Sequence, residues 1–161
     1  MAKFAFAVLT NDPNRLNVIS TKLGSRVGTT IENKAGLGEY SDAEIKKAVK
    51  LGTQNNYLLC ADGDELDAFV DNIDAGGTED GWTFGGVARG NVGQRHEVQV
   101  ASGVATPLVI GDLVVAGTQL PVGTKGLAQV KKGTPALHKY RVMRILTGTG
   151  VAGDKVLIEK V

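Results

Sequence analysis

The sequence is poor in the residues that most often carry chemistry. Cys60 is its one cysteine, and His96 and His138 are its two histidines among 161 residues. One thiol cannot form a disulfide within the chain, and one thiol with two scattered histidines does not supply the ligands of the usual zinc sites. The apolar neighbours of Cys60 predict a thiol with a raised pKa and little reactivity. We therefore expect no metal, no cofactor and no enzymatic activity.

Aromatic residues and long apolar runs are also scarce. Aromatic residues make up 5% of the sequence, too few for the aromatic-lined cleft in which a glycosidase holds a sugar. The first apolar stretch, residues 4–9, lacks the basic flank and the length of a signal peptide. No stretch approaches the roughly 20 apolar residues of a membrane span. We expect a protein of a reducing cytoplasm with no membrane partner.

Glycine, in contrast, is abundant at 22 of 161 residues, against a usual share of about 7%. Together with many Val, Ile and Thr residues, it predicts short strands and tight turns, and hence a mainly β fold built as a small barrel or sandwich. The segment 65–73 fits a strand or a helix, and we favour the strand because β segments flank it. The other predicted strands are 3–9, 57–61, 82–88, 97–101, 108–110, 113–116, 127–130, 140–146 and 155–161.

The N-terminal third has a different character. Residues 15–40 scatter glycine among polar residues, which is typical of a long loop. We expect an extended N-terminal arm over residues 1–56 and a β-rich domain over residues 57–161. Within the arm, Ser41–Glu44 has the pattern of a capping box, which predicts one short amphipathic helix over residues 41–51.

Charge is unevenly distributed along the chain. Between Lys50 and Arg89 there are eight acidic residues and no basic one, although the net charge of the whole chain is +1. This acidic section is either a solvated face or one of two complementary patches that dock one copy on another or on a partner. The C-terminal part is basic. Its basic residues either form the polar sides of β-strands or contact an anionic surface. The residues that make it basic include Lys125, Lys131, Lys132, Lys139, Arg141 and Arg144.

Three local patterns are explained by turns. Residues 148–153 match G-x-G-x-x-G, but a predicted strand follows in place of the helix that a dinucleotide site needs. Residues 62–65 lack the further oxygen ligands and the closing glutamate of a calcium loop. The dipeptide Gly-Asp recurs before apolar runs at 63–64, 111–112 and 153–154. We interpret this recurrence as turn chemistry and not as an internal repeat.

The C-terminal two thirds carry a resemblance to a known family. A Gly-Asp-apolar strand opens the pattern and a Gly-Asp-x-Val-x-Ile strand ends it, as in the small β-rich head decoration, or cement, proteins of tailed bacteriophages. The resemblance covers residues 57–161. The segments that carry it are 61–66, 81–87, 110–117, 126–130, 140–146 and 152–159.

The resemblance implies a non-enzymatic structural role. Such proteins bind the outside of the mature capsid, often as trimers, and clamp neighbouring capsid subunits against internal DNA pressure. We therefore expect the major capsid protein and further copies of this chain as partners, with a trimer as the first expectation and a dimer as the second. We expect assembly in the host cytoplasm and a final location on the capsid exterior of the virion.

Two sets of contact residues follow as hypotheses. We expect the arm, over residues 11–40, to contact the capsid through Arg15, Lys22, Arg26 and Lys34. We expect the acidic section 62–80 to face basic patches on a neighbouring copy or subunit, and the expected subunit-contact residues are Asp62, Asp64, Asp67, Trp82 and Phe84. The alternative function is a small β-barrel module that binds nucleic acid through the basic C-terminal strands. The dispersal of Lys and Arg argues against a specific nucleic-acid partner.

Overall fold

The structure is a computed structural model, and it describes residues 17–27, 39–74 and 81–161. The predicted strand 3–9 lies outside the described residues. One 3₁₀ turn, Asp42–Glu44, and ten strands occur in the described part of the chain. The strands are β1 Asn17–Leu23, β2 Ala48–Leu51, β3 Asn56–Leu59, β4 Ala68–Ile73, β5 Thr83–Arg89, β6 Arg95–Val100, β7 Leu113–Ala116, β8 Gln129–Lys132, β9 Tyr140–Ile145 and β10 Lys155–Lys160.

The strands close into two five-stranded barrels that follow one another along the chain. The first barrel has the order β1-β3-β2-β4-β5, and the second has the order β6-β8-β7-β9-β10. Each barrel has one parallel pair, β1 with β3 or β6 with β8, and its other pairs are antiparallel. The prediction of a mainly β fold built as a small barrel is therefore confirmed.

The two barrels have the same strand register as well as the same order. Leu23 pairs with Tyr57 where the first and third strands of the first barrel meet, and Val100 pairs with Val130 at the corresponding point of the second. The fourth strand of each barrel contains a bulge after its third residue. The chain is thus a tandem repeat of one barrel.

The hydrogen bonds beside the strands repeat in the same way. Gly52 follows β2 and donates to the carbonyl of Asn56 at 2.7 Å, and Gly117 follows β7 and donates to the carbonyl of Gln129 at 2.9 Å. The Gly-Asp dipeptides lie elsewhere, namely between β3 and β4, before β7 and before β10. These positions do not correspond in the two barrels, which agrees with turn chemistry. The repeat of the barrel is carried by strand order and register, and not by these dipeptides.

The helix predicted over residues 41–51 is wrong beyond its first turn. Ser41 and Glu44 do form the capping box, with the Ser41 N–H donating to Glu44 Oε2 at 2.6 Å, but only the 3₁₀ turn Asp42–Glu44 follows. Lys46 then takes a φ of 74°, and its N–H donates to a carbonyl of β4 at 2.7 Å. Because β4 supplies the backbone partner, the chain continues as strand β2.

The N-terminal part is organised differently from the expected arm over residues 1–56. Strand β1 pairs with β5 along its whole length and with β3 at its end, so it belongs to the same barrel as strands beyond residue 57. Leu23 is fully buried, whereas most other side chains of β1 are partly or largely exposed. The remaining parts of the expected arm, residues 1–16 and 28–38, lie outside the described residues.

Two further strand predictions have opposite outcomes. Strand β4 confirms the interpretation of residues 65–73 as a strand. Residues 108–110, predicted as a strand, form a loop and turn before β7. Leu108 is fully buried while Val109 and Ile110 are exposed. Gly111 then has a φ of 96°, a conformation that glycine adopts without steric cost.

The barrels share part of their hydrophobic core. The first barrel has its own interior cluster, which includes Leu23, Val49 and Val87. The larger cluster fills the second barrel and extends to Ala48, Cys60, Leu66 and Phe69 of the first barrel. Neighbouring residues of β2 thus belong to different clusters, because successive side chains of a strand point to opposite faces. We call the contact region around these four residues the junction.

Candidate functional site

Two carboxylates predicted for subunit contact have cationic partners within the chain. Asp62, in the turn after β3, forms an ion pair with Lys131 of the second barrel. Asp64 forms an ion pair with Lys50 of β2 at 2.6 Å between Oδ2 and Nζ, and it also accepts the Ala61 N–H at 2.6 Å. Part of the acidic section is therefore paired with cationic side chains of the same molecule, at and beside the junction.

Asp67 is buried immediately before β4 and contacts two cationic or titratable side chains. Its Oδ1 lies 3.1 Å from Arg89 Nη2 and 3.5 Å from His138 Nε2. Arg89 belongs to the first barrel and His138 to the loop before β9, so the carboxylate links the two barrels. The pKa of Arg89 is raised, because the hydrogen bond and charge of Asp67 outweigh the opposing effect of burial.

The aromatic residues predicted for subunit contact lie next to a residue predicted for capsid contact. Trp82 is mostly buried, and Lys22 Nζ lies 5.0 Å from the centroid of its ring, a cation–π arrangement. Phe84 is half-buried and pairs with Lys22 across β1 and β5. Arg26 lies in the exposed loop after β1. The other two expected capsid contacts, Arg15 and Lys34, lie outside the described residues.

A loop of the second barrel is fixed by a carboxylate of the first. Glu65 accepts backbone N–H groups from Ala136 at 2.6 Å, from Leu137 at 3.1 Å and from His138 at 2.9 Å. These hydrogen bonds stabilise the ionised form, and they lower the pKa of Glu65. The sequence showed Glu65 only as one of eight acidic residues, because its partners come some 70 positions later.

A fully buried ion pair joins the barrels at a second place. Lys47 Nζ lies 3.3 Å from Glu44 Oε1, and both side chains are completely buried. Lys47 also donates to the carbonyl of Pro121 at 2.9 Å, and Gly123 donates its N–H to Glu44 Oε1 at 2.6 Å. Burial alone would raise the pKa of Glu44, but the N–H bonds from Ser41 and Gly123 outweigh it and lower the pKa. We call these contacts the buried clamp.

His96 lies at the junction, where its side chain is partly buried and its Nε2 atom is shielded from solvent. Its ring stacks on Phe69 with the ring centroids 4.1 Å apart, and Tyr140 lies edge-on to both. Burial, with the nearby Lys160 charge, lowers the pKa of His96 to about 4. A cavity of about 240 Å³ opens beside Phe69 and His96, and Lys46, Arg95 and Glu97 also line it.

The described residues offer little for covalent or metal chemistry. Burial raises the pKa of Cys60 to about 12, and its Sγ lies 3.6 Å from the carbonyl oxygen of Glu65. A thiol with so high a pKa carries almost no thiolate at neutral pH, and the thiolate is the nucleophile. Within 17–27, 39–74 and 81–161, no three His, Cys, Asp or Glu side chains come together in a way that could hold a metal ion.

The basic C-terminal residues divide into paired and exposed ones. Lys131 is paired with Asp62, and Lys132 Nζ lies 2.6 Å from Asp112 Oδ1. Arg141 and Arg144 are exposed on β9. They pair with Glu159 and Leu157 of β10, which are two positions apart. The bulge between them therefore places both arginines on one face of the strand, although they are three positions apart.

Comparison of the chain with protein-family models, with curated proteins and with solved structures found no match. No helix in the described part of the chain is both long enough and apolar enough to cross a membrane.

Proposed function

We propose that the protein is a non-enzymatic decoration, or cement, protein that binds the outer surface of a mature tailed-phage head and stabilises contacts between capsid subunits. The resemblance of residues 57–161 to such proteins supports this. The proposal depends mainly on the repeated barrel, because one chain presents the same strand arrangement twice. Two linked barrels can contact two neighbouring capsid subunits, and the second contact forms at a high effective concentration.

The junction supports a bridging role. A cement protein must hold its two contacts at a fixed spacing, and the barrels are joined by a shared hydrophobic core, by the Glu65 hydrogen bonds and by the buried clamp. Cores of this kind are close-packed and transmit strain. A force applied to one barrel is therefore passed to the other.

The contact residues are proposed as follows. The segment 11–40 contacts the major capsid protein through Arg15, Lys22, Arg26 and Lys34. Neighbouring copies or subunits contact Trp82 and Phe84 and the acidic residues Asp62, Asp64 and Asp67. Self-association gives a trimer, or as second choice a dimer, on the capsid exterior.

The test uses expanded, undecorated heads of the phage from which the gene comes. We expect purified protein to co-sediment with them, saturably and at a fixed ratio to the capsid subunit. Raising the salt concentration weakens the binding, because exposed charge pairs are screened over about 8–10 Å. Deleting residues 1–16 removes Arg15 but leaves all ten described strands in place, and it should also weaken the binding.

A folded protein that does not bind these heads at low salt would contradict the proposal. In the deletion series, residues 17–23 must be kept, since β1 is part of the first barrel. Binding by the 1–16 deletion that equals the full chain would remove that segment as an anchor. Light scattering of the free protein reports the mass of the assembly beside each binding experiment.

The second candidate is a nucleic-acid-binding β-barrel module. The observation that favours it is the exposed pair Arg141 and Arg144 on one face of β9. Phosphate contacts by such residues release counterions, so DNA binding would fall steeply with salt. The ion pairs of Lys131 and Lys132 reduce the basic surface available for this function.

A further inference from the structure

One end of the second barrel carries a group of exposed aliphatic side chains. The loop before β7 and the loop between β9 and β10 meet there, where the Leu108 N–H donates to the carbonyl of Gly150 at 2.8 Å. The exposed residues, which we call the apolar end patch, are Val109 (54% exposed), Ile110 (67%), Leu146 (39%) and Val151 (44%).

The loop between β9 and β10 is held by a single carboxylate. Asp154 Oδ2 accepts the N–H groups of Thr149, Gly150 and Val151 at 2.9, 2.9 and 3.0 Å. Gly150 has a φ of 84°, and a Cβ there would lie 2.1 Å from the Leu108 carbonyl oxygen, so only glycine fits. The backbone that carries Val151 is therefore fixed before any partner binds.

The other loop is held in the same manner. Asp112 Oδ2 accepts the Val109 N–H at 3.0 Å, and its Oδ1 is paired with Lys132 at 2.6 Å. Gly111 donates to the carbonyl of Val142 in β9 at 2.8 Å. Both carboxylates at this end of the barrel are thus engaged by donors of the same barrel.

We infer that the apolar end patch is the surface through which the second barrel binds an apolar site on the major capsid protein, an inference that rests on the proposed function. Aliphatic side chains on loops that are already ordered lose little conformational freedom on binding. They also gain from leaving water. The matching surface of the partner is apolar, because contact between two apolar surfaces removes both from water.

The size of the apolar end patch favours a capsid over a second free copy. A stable interface uses roughly 20–30 residues on each side, and this patch has four. Two copies would therefore not stay together through it in solution. On a capsid each chain is held at further points, and a small contact then adds strongly to retention.

The corresponding end of the first barrel lies beside a residue already expected to contact the capsid. The Val27 N–H donates to the carbonyl of Gly81 at 2.8 Å, which joins the β1–β2 loop to the β4–β5 loop. This bond corresponds to the one between Leu108 and Gly150. Arg26 thus occupies the same end of the first barrel that the apolar end patch occupies on the second.

The test compares two serine variants in the co-sedimentation experiment with undecorated heads. The double variant Val109→Ser with Ile110→Ser removes the most exposed part of the patch. The control Val92→Ser changes a side chain that is 78% exposed in the link between the barrels. We expect about tenfold weaker binding for the double variant and unchanged binding for the control. Circular dichroism confirms that each variant is folded, and Val151→Ser provides an independent second substitution in the patch.

The possible failures are distinguishable. If the unaltered protein binds heads and the patch variants bind equally well, the inference is wrong and the proposed function stands. If the unaltered protein does not bind heads at all, both fall. If the patch variants lower the mass of the free protein in light scattering, the patch is an interface between copies and the inference is overturned.

Discussion

At the scale of single residues, His96 is a titratable group of the junction that burial keeps uncharged. It lies between Phe69 of the first barrel and Tyr140 of the second, and its Nε2 has no hydrogen-bond partner among the described residues. Burial lowers its pKa most and the Lys160 charge lowers it further, while the cavity beside it is also lined by Lys46, Asp71, Arg95 and Glu97. Burial therefore favours the neutral ring over the protonated one.

The stability of the protein should therefore fall as the pH drops through the range set by His96. The unfolded chain takes up this proton near pH 6.5, whereas the folded protein takes it up only at about 4. The contribution is present above pH 6.5 and is lost progressively toward pH 4, by at most about 3 kcal/mol. Urea unfolding of the unaltered protein and of His96→Phe at several pH values measures the difference. Parallel curves between pH 4 and pH 7 would contradict the prediction.

At the scale of elements, the buried clamp ties the 3₁₀ turn of the first barrel to a loop of the second. Lys47→Met leaves the Glu44 carboxylate buried without its cation, and such a loss costs about 3–5 kcal/mol. The matched control is Lys50→Met, whose pair with Asp64 is partly exposed and contributes about 0–1 kcal/mol. Chemical denaturation at neutral pH measures both. A Lys47→Met variant as stable as the control would show that the clamp does not stabilise the junction.

The elements differ in how much of them the sequence predicts. Strand β10 is clear because the apolar run 156–158 closely follows a Gly-Asp turn signal. Strand β1 has one fully buried side chain, Leu23, so no alternation marks it. Strand β2 was predicted as a helix because a capping box is a local signal. The hydrogen bonds to β4 that redirect the chain come from residues far along the sequence.

The contacts of the acidic section were predictable only in part. Its charge is visible in the sequence, but the partner of Asp62 is Lys131, 69 positions later. The repeat of the barrel is not visible in the sequence, because corresponding positions of the two barrels carry unlike side chains. Examples are Tyr57 against Val130, and Ala68 against Tyr140. The correspondence lies in backbone pairing, which different side chains can support equally well.

At the scale of the whole molecule, the shared core predicts that both barrels unfold together. The larger hydrophobic cluster needs Phe69 and Leu66 of the first barrel as well as the interior of the second. Trp82, the one tryptophan, belongs to the first barrel, so its fluorescence follows that barrel, whereas circular dichroism follows both. We expect the thermal transition followed by fluorescence to coincide with the one followed by circular dichroism, as in a two-state system. Two circular dichroism steps, with fluorescence following only one, would show independent barrels.

The two barrels also tolerate connections of different length between their first two strands. The connection between the first two strands spans residues 24–47 in one barrel and 101–112 in the other, yet the strands on either side keep the same register. Lengthening a surface loop has a small thermodynamic cost. Insertions at this connection can therefore change specificity during evolution without changing the barrel. A peptide grafted there would be displayed in many copies on any surface the protein coats.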